Sequence, residues 1–286
     1  MEPSEVYAAQ ARTGEATMIL ARRQWRKMGT LDDWPSIASR LALLVTAGQV
    51  GAASRAEAYV SSSVDIAGNG RVNPNRFGGV ASDGRPLDSL LYSSVAHART
   101  LYGTGAKDAE VMAAGEAWLG MLVQTQVADA GRGATQVAIA ARPRVGYVRF
   151  VSPPCCQRCA VLAGKFFKWN TGFRRHPRCD CIHRPTAEGS AADGRTDSIT
   201  PDQIKDLTIA QRKAITDGAD LNRAINSHRA GTRSGMFTTE GMGRRGFVRD
   251  GLAEGQRRMT PEAIYRTAGD DRDAAVALLR THGYLI

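Results

Sequence analysis

The chain has 286 residues, 43% of them hydrophobic, and a formal net charge of +10. That apolar share can bury a sizeable core, which excludes wholesale disorder, and the length suggests about two compact units. Uninterrupted apolar stretches such as Leu41–Val45 are far shorter than the ~20 residues of a spanning helix, so no membrane partner is expected.

The first residues, Met1-Glu2-Pro3-Ser4-Glu5, show no basic segment followed by an apolar core, so no secretory signal is expected. Residues 4–30 read as a helix, with Ser4 as N-cap and Arg22, Arg23, Arg26 and Lys27 suiting its negative C-terminal end. Asp32–Ser36 reads as a break. A second helix from Ser36 to about Val60 carries Ile37, Leu41, Leu44 and Val45 on one stripe. The glycine-rich run 66–85 reads as a long loop. Helices resume over 88–102 and 106–141, the latter with an expected break at Gly131-Arg132-Gly133. Its Met112, Trp118, Leu119, Met121 and Leu122 read as core.

Past Arg142-Pro143-Arg144 the character changes. Gly146–Val151 and Phe166–Trp169 have strand composition, and Asn170-Thr171-Gly172 follows as a turn. Residues 186–198 read as a polar linker. Thr200-Pro201 opens short helices reaching about Arg229, 233–255 is rich in Gly and Arg, and Thr260-Pro261-Glu262 starts a last helical pair. The expected architecture is mainly α with a small α+β, zinc-ribbon-like Cys/His module. Its parts are a helical domain at 1–141, the module at 142–186, and a linker with a helical region at 187–286.

All five cysteines lie between 155 and 181, unlike a disulfide scaffold spread along a secreted chain, and this points to a reducing cytoplasm as the place of synthesis. Cys156 and Cys159 form a C-x2-C pair, the spacing that turns two thiolates toward one Zn²⁺. Cys179 and Cys181 complete a four-ligand set, with His176 as the alternative to one of them; Cys155 and His183 are spare. A closed four-ligand site is structural, so zinc here would staple a core-poor module. The other account of these residues is a group of buried or redox-active thiols without metal.

The same segment holds most of the charge. Between 140 and 185 stand Arg142, Arg144, Arg149, Arg158, Lys165, Lys168, Arg174, Arg175, Arg178 and Arg184 against Asp180 alone, a net +9. Such a one-sided block suits a polyanion, most simply nucleic-acid phosphate. Pairing with acids elsewhere in the chain is the competing account. Of the 38 basic residues 32 are Arg, which fits bidentate phosphate binding and fits a GC-rich coding genome equally well.

Cys156-x2-Cys159, Leu162-x-Gly164-Lys165-x-Phe167 and His176-Pro177-x-Cys179-x-Cys181 together resemble the signature of the MuF-like phage head morphogenesis family, C-x2-C-x2-L-D-G-K-x-F followed by H-P-x-C-R-C. Ala163 stands where the family has Asp and Asp180 where it has Arg. The first departure weakens any catalytic role for that position and leaves the ligands intact. Residues 214–221 with Ile225-Asn226-Ser227, and the closing Leu278–Leu285, are similar to segments of actinobacteriophage members. The resemblance implies a minor capsid protein in the interior of a virion head, made in the host cytoplasm. Its partners would be portal, scaffold and major capsid proteins and packaged double-stranded DNA.

Proteins of this setting are also described as capsid maturation proteases, which is the alternative function. A Cys–His dyad could draw on Cys155 or Cys159 with His176 or His183, but ligation explains those residues better. His97 reads as a packed helix histidine and His228 as a helix-end cation. No G-x-S-x-G, H-E-x-x-H or G-x-x-x-x-G-K-[ST] motif occurs, and Gly103–Lys107 reads as a helix–helix turn, so no catalytic residue is assigned. A zinc-ribbon DNA-binding regulator is a weaker third reading, lacking a helix-turn-helix.

Overall fold

The computed structural model describes residues 1–171, 176–177, 179, 181–190, 199–227, 237–238 and 258–285. The fold is mostly helical, with a small three-stranded antiparallel sheet. It divides into two units: 1–152 with 164–197, and 153–163 with 198–286. These boundaries differ from the expected ones at 141 and 186.

In the first unit, α1 (Pro3–Trp25) is capped at Glu2, whose side chain and that of Glu5 satisfy each other's amides. Ser4 therefore lies inside the helix, and Glu2 takes the capping role expected of it. The chain turns at Gly29-Thr30, whose N–H groups both donate to the Asp33 carboxylate at 2.8 and 2.9 Å. The segment expected as a break starts the next helix instead. Trp34 and Pro35 open α2 (Trp34–Ala53), where Pro suits the first turn because no intrahelical amide bond is due there. The expected run to Val60 is interrupted at Ser54-Arg55, where the Arg55 guanidinium takes the Gly51 carbonyl at 2.8 Å, and α3 (Ala56–Ser63) follows.

The loop to α4 (Leu87–Thr100) holds one short 3-10 turn at Pro74–Phe77 and is pinned by buried glutamines. Gln49 accepts from the Gly79 N–H and donates to the Val80 carbonyl; Gln126 accepts from the Ser82 N–H. Between α4 and α5 the chain makes a 3-10 turn at Leu101–Thr104, as read from its glycines.

α5 (Asp108–Ala140) runs 33 residues without the break expected at Gly131–Gly133. Those glycines serve close approach: a Cβ at 131 would meet the Gln10 amide at 3.1 Å, and one at 133 would meet the Phe77 ring at 3.2 Å. Around α5 pack α1, α2 and α4, sharing a core of Trp25, Trp34, Leu41, Val45, Leu91, Leu119 and Val123. Met112 packs against that core, and Trp118, Met121 and Leu122 form a smaller cluster with Ala81 and Leu90. His97 stacks on Trp118 with 4.1 Å between ring centroids, as a packed helix histidine should. Among the described residues, one helical run, Leu31–Ser63, holds an 18-residue window with a mean hydropathy of 1.2, enough by length and composition to cross a membrane. Its Trp34, Ile37, Leu41 and Val45 are buried in the bundle core, which accounts for the stripe.

The sheet follows α5. β1 (Val145–Phe150) is central, antiparallel to β2 (Phe166–Phe167) and β3 (Ile182–Ala187), with Tyr147 opposite both Phe167 and Pro185. β3 overlaps the stretch expected to be linker from 186. Its Pro185 weakens the strand signal, yet β3 is an edge strand, where a missing N–H is tolerated. Val145 and Tyr147 pack on Val60, Ala138 and Ile139, which ties the sheet to the helices.

In the second unit, Pro153–Ala163 carries α6 (Gln157–Leu162), a helix the sequence reading did not anticipate. Cys155 exchanges backbone hydrogen bonds with Gln203 and Lys205 at 2.9 and 2.8 Å, beside the 3-10 turn Pro201–Gln203. α7 (Ile209–Thr216), α8 (Leu221–Asn226), α9 (Pro261–Ala268) and α10 (Arg272–Thr281) begin at Thr208, Asp220, Thr260 and Asp271, each side chain accepting from a first-turn amide. A two-stranded pair, β4 (Phe237–Thr238) with β5 (Arg258–Met259), precedes α9. Ala214, Ala263, Ile264, Leu279 and Tyr284 form this unit's core. Apart from 237–238, the Gly- and Arg-rich stretch 233–255 lies outside the described residues, as do His228 and linker residues 191–198.

Candidate metal centre

Cys156 sits at the N-cap of α6 with an extended backbone, and its Sγ accepts the Cys159 N–H at 3.4 Å. The C-x2-C spacing thus becomes a knuckle in which one turn of helix brings two sulfurs to the same end. Cys159 is buried and Cys156 half-buried.

His176 and Cys179 share a turn, closed by the Cys179 N–H on the His176 carbonyl at 3.0 Å. The His176 Nδ1 lies 2.8 Å from the Pro177 carbonyl. A carbonyl can only accept, so the proton belongs on Nδ1 and the lone pair a metal takes is on Nε2. Cys179 and Cys181 lead into β3, both buried, with their sulfurs 2.9 Å apart. Two thiolates at that separation repel strongly, so the pair calls for a proton or a cation between them.

Among the described residues, two overlapping sets could hold a metal ion: Cys156, Cys159 and His176; and Cys159, Cys179 and Cys181. All five ligands expected from spacing fall within these sets, and Cys159 belongs to both. Thiolate and imidazole are donors suited to zinc. Of the two spare residues, Cys155 is buried on the backbone bridge to Ile204, and His183 packs its ring against Tyr147 at 4.1 Å.

The sequence reading missed one residue here. Arg132, buried in α5, donates from Nη1 to the carbonyls of Cys179 and Cys181 at 2.8 and 2.9 Å, and pairs through Nη2 with Asp129. Burial alone would lower its pKa, but Asp129 and the thiols of Cys181 and Cys179 outweigh that and hold it above its ordinary value. The signal available was an Arg between two glycines on an apolar helix face, with Asp three residues earlier.

The basic block is only partly a surface. Arg144, Arg158, Lys165 and Lys168 are exposed, and Arg184 is half-buried. Arg142 and Arg149, expected among the phosphate contacts, are buried instead. Arg142 is committed to Glu57, Ser61 and the carbonyls of Ile66 and Ala138, and Arg149 lies in the central strand. Arg174, Arg175 and Arg178 lie outside the described residues. No family model, curated protein or solved structure matches the chain.

Proposed function

We propose that this chain is a minor capsid protein of the MuF-like head morphogenesis class, with Zn²⁺ held by its Cys/His cluster. The observation that carries the reading is a coincidence: the residues that resemble the family signature, Cys156, Cys159, His176, Cys179 and Cys181, are those whose side chains fall into candidate ligand sets. When bound, zinc would supply a closed structural site of protein ligands, with no open position for chemistry. The chain's own residues prepare for it. Cys156 and Cys159 are preset by α6, and His176 is turned by Pro177.

In this proposal the protein works inside the virion head, with portal, scaffold and major capsid proteins as partners. The exposed Arg144, Arg158, Lys165 and Lys168 contact packaged double-stranded DNA through its phosphates. Arg142 and Arg149 are left out because they are buried.

The test is metal content of the reduced, purified protein beside Cys159→Ser, combined with incorporation of each into procapsids on co-expression with the phage's portal and capsid proteins. About one zinc per chain is expected for the parent. The variant should lose most of it and enter procapsids poorly. Absence of zinc, together with one unusually reactive thiol and processing of a head protein, would replace this reading with a maturation protease.

A further inference from the structure

We propose that Arg132 is the positioning residue of the metal centre: one guanidinium nitrogen gathers the carbonyls of Cys179 and Cys181 and thereby fixes the direction in which both thiols face. The inference rests on the metal reading above and deepens it.

Cys179 and Cys181 are two residues apart. Holding both carbonyls on a single nitrogen ties both ligand residues to one point on α5, and so restricts where their Sγ atoms can lie. Nη1 carries two hydrogens, one for each carbonyl, at 2.8 and 2.9 Å. Lys at this position would keep the charge but lose the planar fork that serves both carbonyls and Asp129 together.

Stability alone does not explain the residue. A buried ion pair is weak as a source of stability, and an apolar side chain of similar volume commonly does as well. Arg132 and Asp129 form such a pair, with side chains 5% and 4% exposed. What an apolar residue cannot supply is two directed donors under the ligand loop. The guanidinium also places a fixed positive charge against the backbone of the ligand loop. Partners of this kind behind metal ligands typically contribute 10- to 100-fold in affinity.

The experiment uses the full chain with Co²⁺ as probe, reading thiolate-to-cobalt charge transfer, the d–d bands, and affinity by chelator competition. Arg132→Met and Arg132→Lys are compared with the parent and with Gly115→Ala, a destabilising change elsewhere on α5. Both Arg132 variants should bind Co²⁺ roughly 10- to 100-fold more weakly with altered charge-transfer bands. Gly115→Ala should keep the parent spectrum despite a lower melting temperature. Parent-like affinity and spectrum in the Arg132 variants would overturn the proposal. So would loss of helix in both variants without metal, which would mark Arg132 as merely structural. If the parent itself binds no Co²⁺ or Zn²⁺, the metal reading fails first, and the proposal with it.

Discussion

Gly115 shows how tightly α1 and α5 cross. A Cβ there would lie 2.3 and 2.5 Å from two atoms of the Trp25 ring and 3.1 Å from the Ala98 methyl. The ring cannot easily retreat, because its Nε1 donates to the Met112 carbonyl at 3.0 Å. Alanine in a helix gains up to about 1 kcal/mol over glycine, whereas overpacking a core costs typically 1–3 kcal/mol. Gly115→Ala should therefore lose about 1–2 kcal/mol in urea unfolding followed by tryptophan fluorescence. A gain would show that Trp25 has room to move. At this scale the candidate ligands were legible and the side chain that supports them was not. Cys156, Cys159, His176, Cys179 and Cys181 announce themselves by spacing. Arg132 does not, since its partners are backbone carbonyls 47 and 49 residues away, which carry no residue identity.

Among the elements, the link between α3, the end of α5 and the pinned loop turns on Arg142. It donates to Glu57 at 2.7 Å, to Ser61 at 2.8 Å and to the Ile66 carbonyl at 3.1 Å. Partial burial of Glu57 opposes its ionisation. The Arg142 hydrogen bond, the Val72 N–H and the charges of Arg142 and Arg71 outweigh it, so the carboxyl is held below the usual range. A pKa lowered by folding stabilises fully above the unfolded value, about 4.3, and that contribution disappears as pH falls through the folded value. Glu57→Gln should flatten the acid limb of stability measured by denaturant titration between about pH 5 and 3. An unchanged limb would show that the pair contributes nothing.

Helices whose starts carry Pro or a capping residue were readable within a few positions, as at Thr260-Pro261. The failures have physical causes. Pro185 and polar neighbours disguised β3, which only an edge position allows to exist. Gly131 and Gly133 mimic a break, although their role is to admit Gln10 and Phe77. α6 is a single knuckle turn, too short for any periodicity to reveal.

For the whole molecule, the net +10 is a property of composition, but only the cations that reach solvent can meet a polyanion. Arg142 and Arg149 are removed from that set by burial, leaving Arg144, Arg158, Lys165 and Lys168 exposed among the described residues of the basic block. If these contact duplex phosphates, binding falls with salt at a slope of about −0.9 per phosphate neutralised. Lys165→Ala and Lys168→Ala together should lower the magnitude of that slope by roughly 2, whatever the DNA sequence. Arg142→Ala should leave the slope unchanged while lowering stability. An unchanged slope in the double variant would remove this face from the DNA contact.

The sheet that covers Ala138 and Ile139 also sets an order of events during synthesis. Ribosomes deliver α5 complete before β1 begins, and β3 ends 47 residues after it. At about 5–20 residues per second, the gap lasts on the order of 2–9 s. Throughout it the last turns of α5 hold an uncovered apolar face beside a guanidinium whose carbonyl partners do not yet exist. The nascent helix is thus a half-made socket, completed only when the cysteine loop and β3 have followed it. The carbonyls of Cys179 and Cys181 then emerge toward a guanidinium already held on α5, which makes this interval the one at which a chaperone has most to protect.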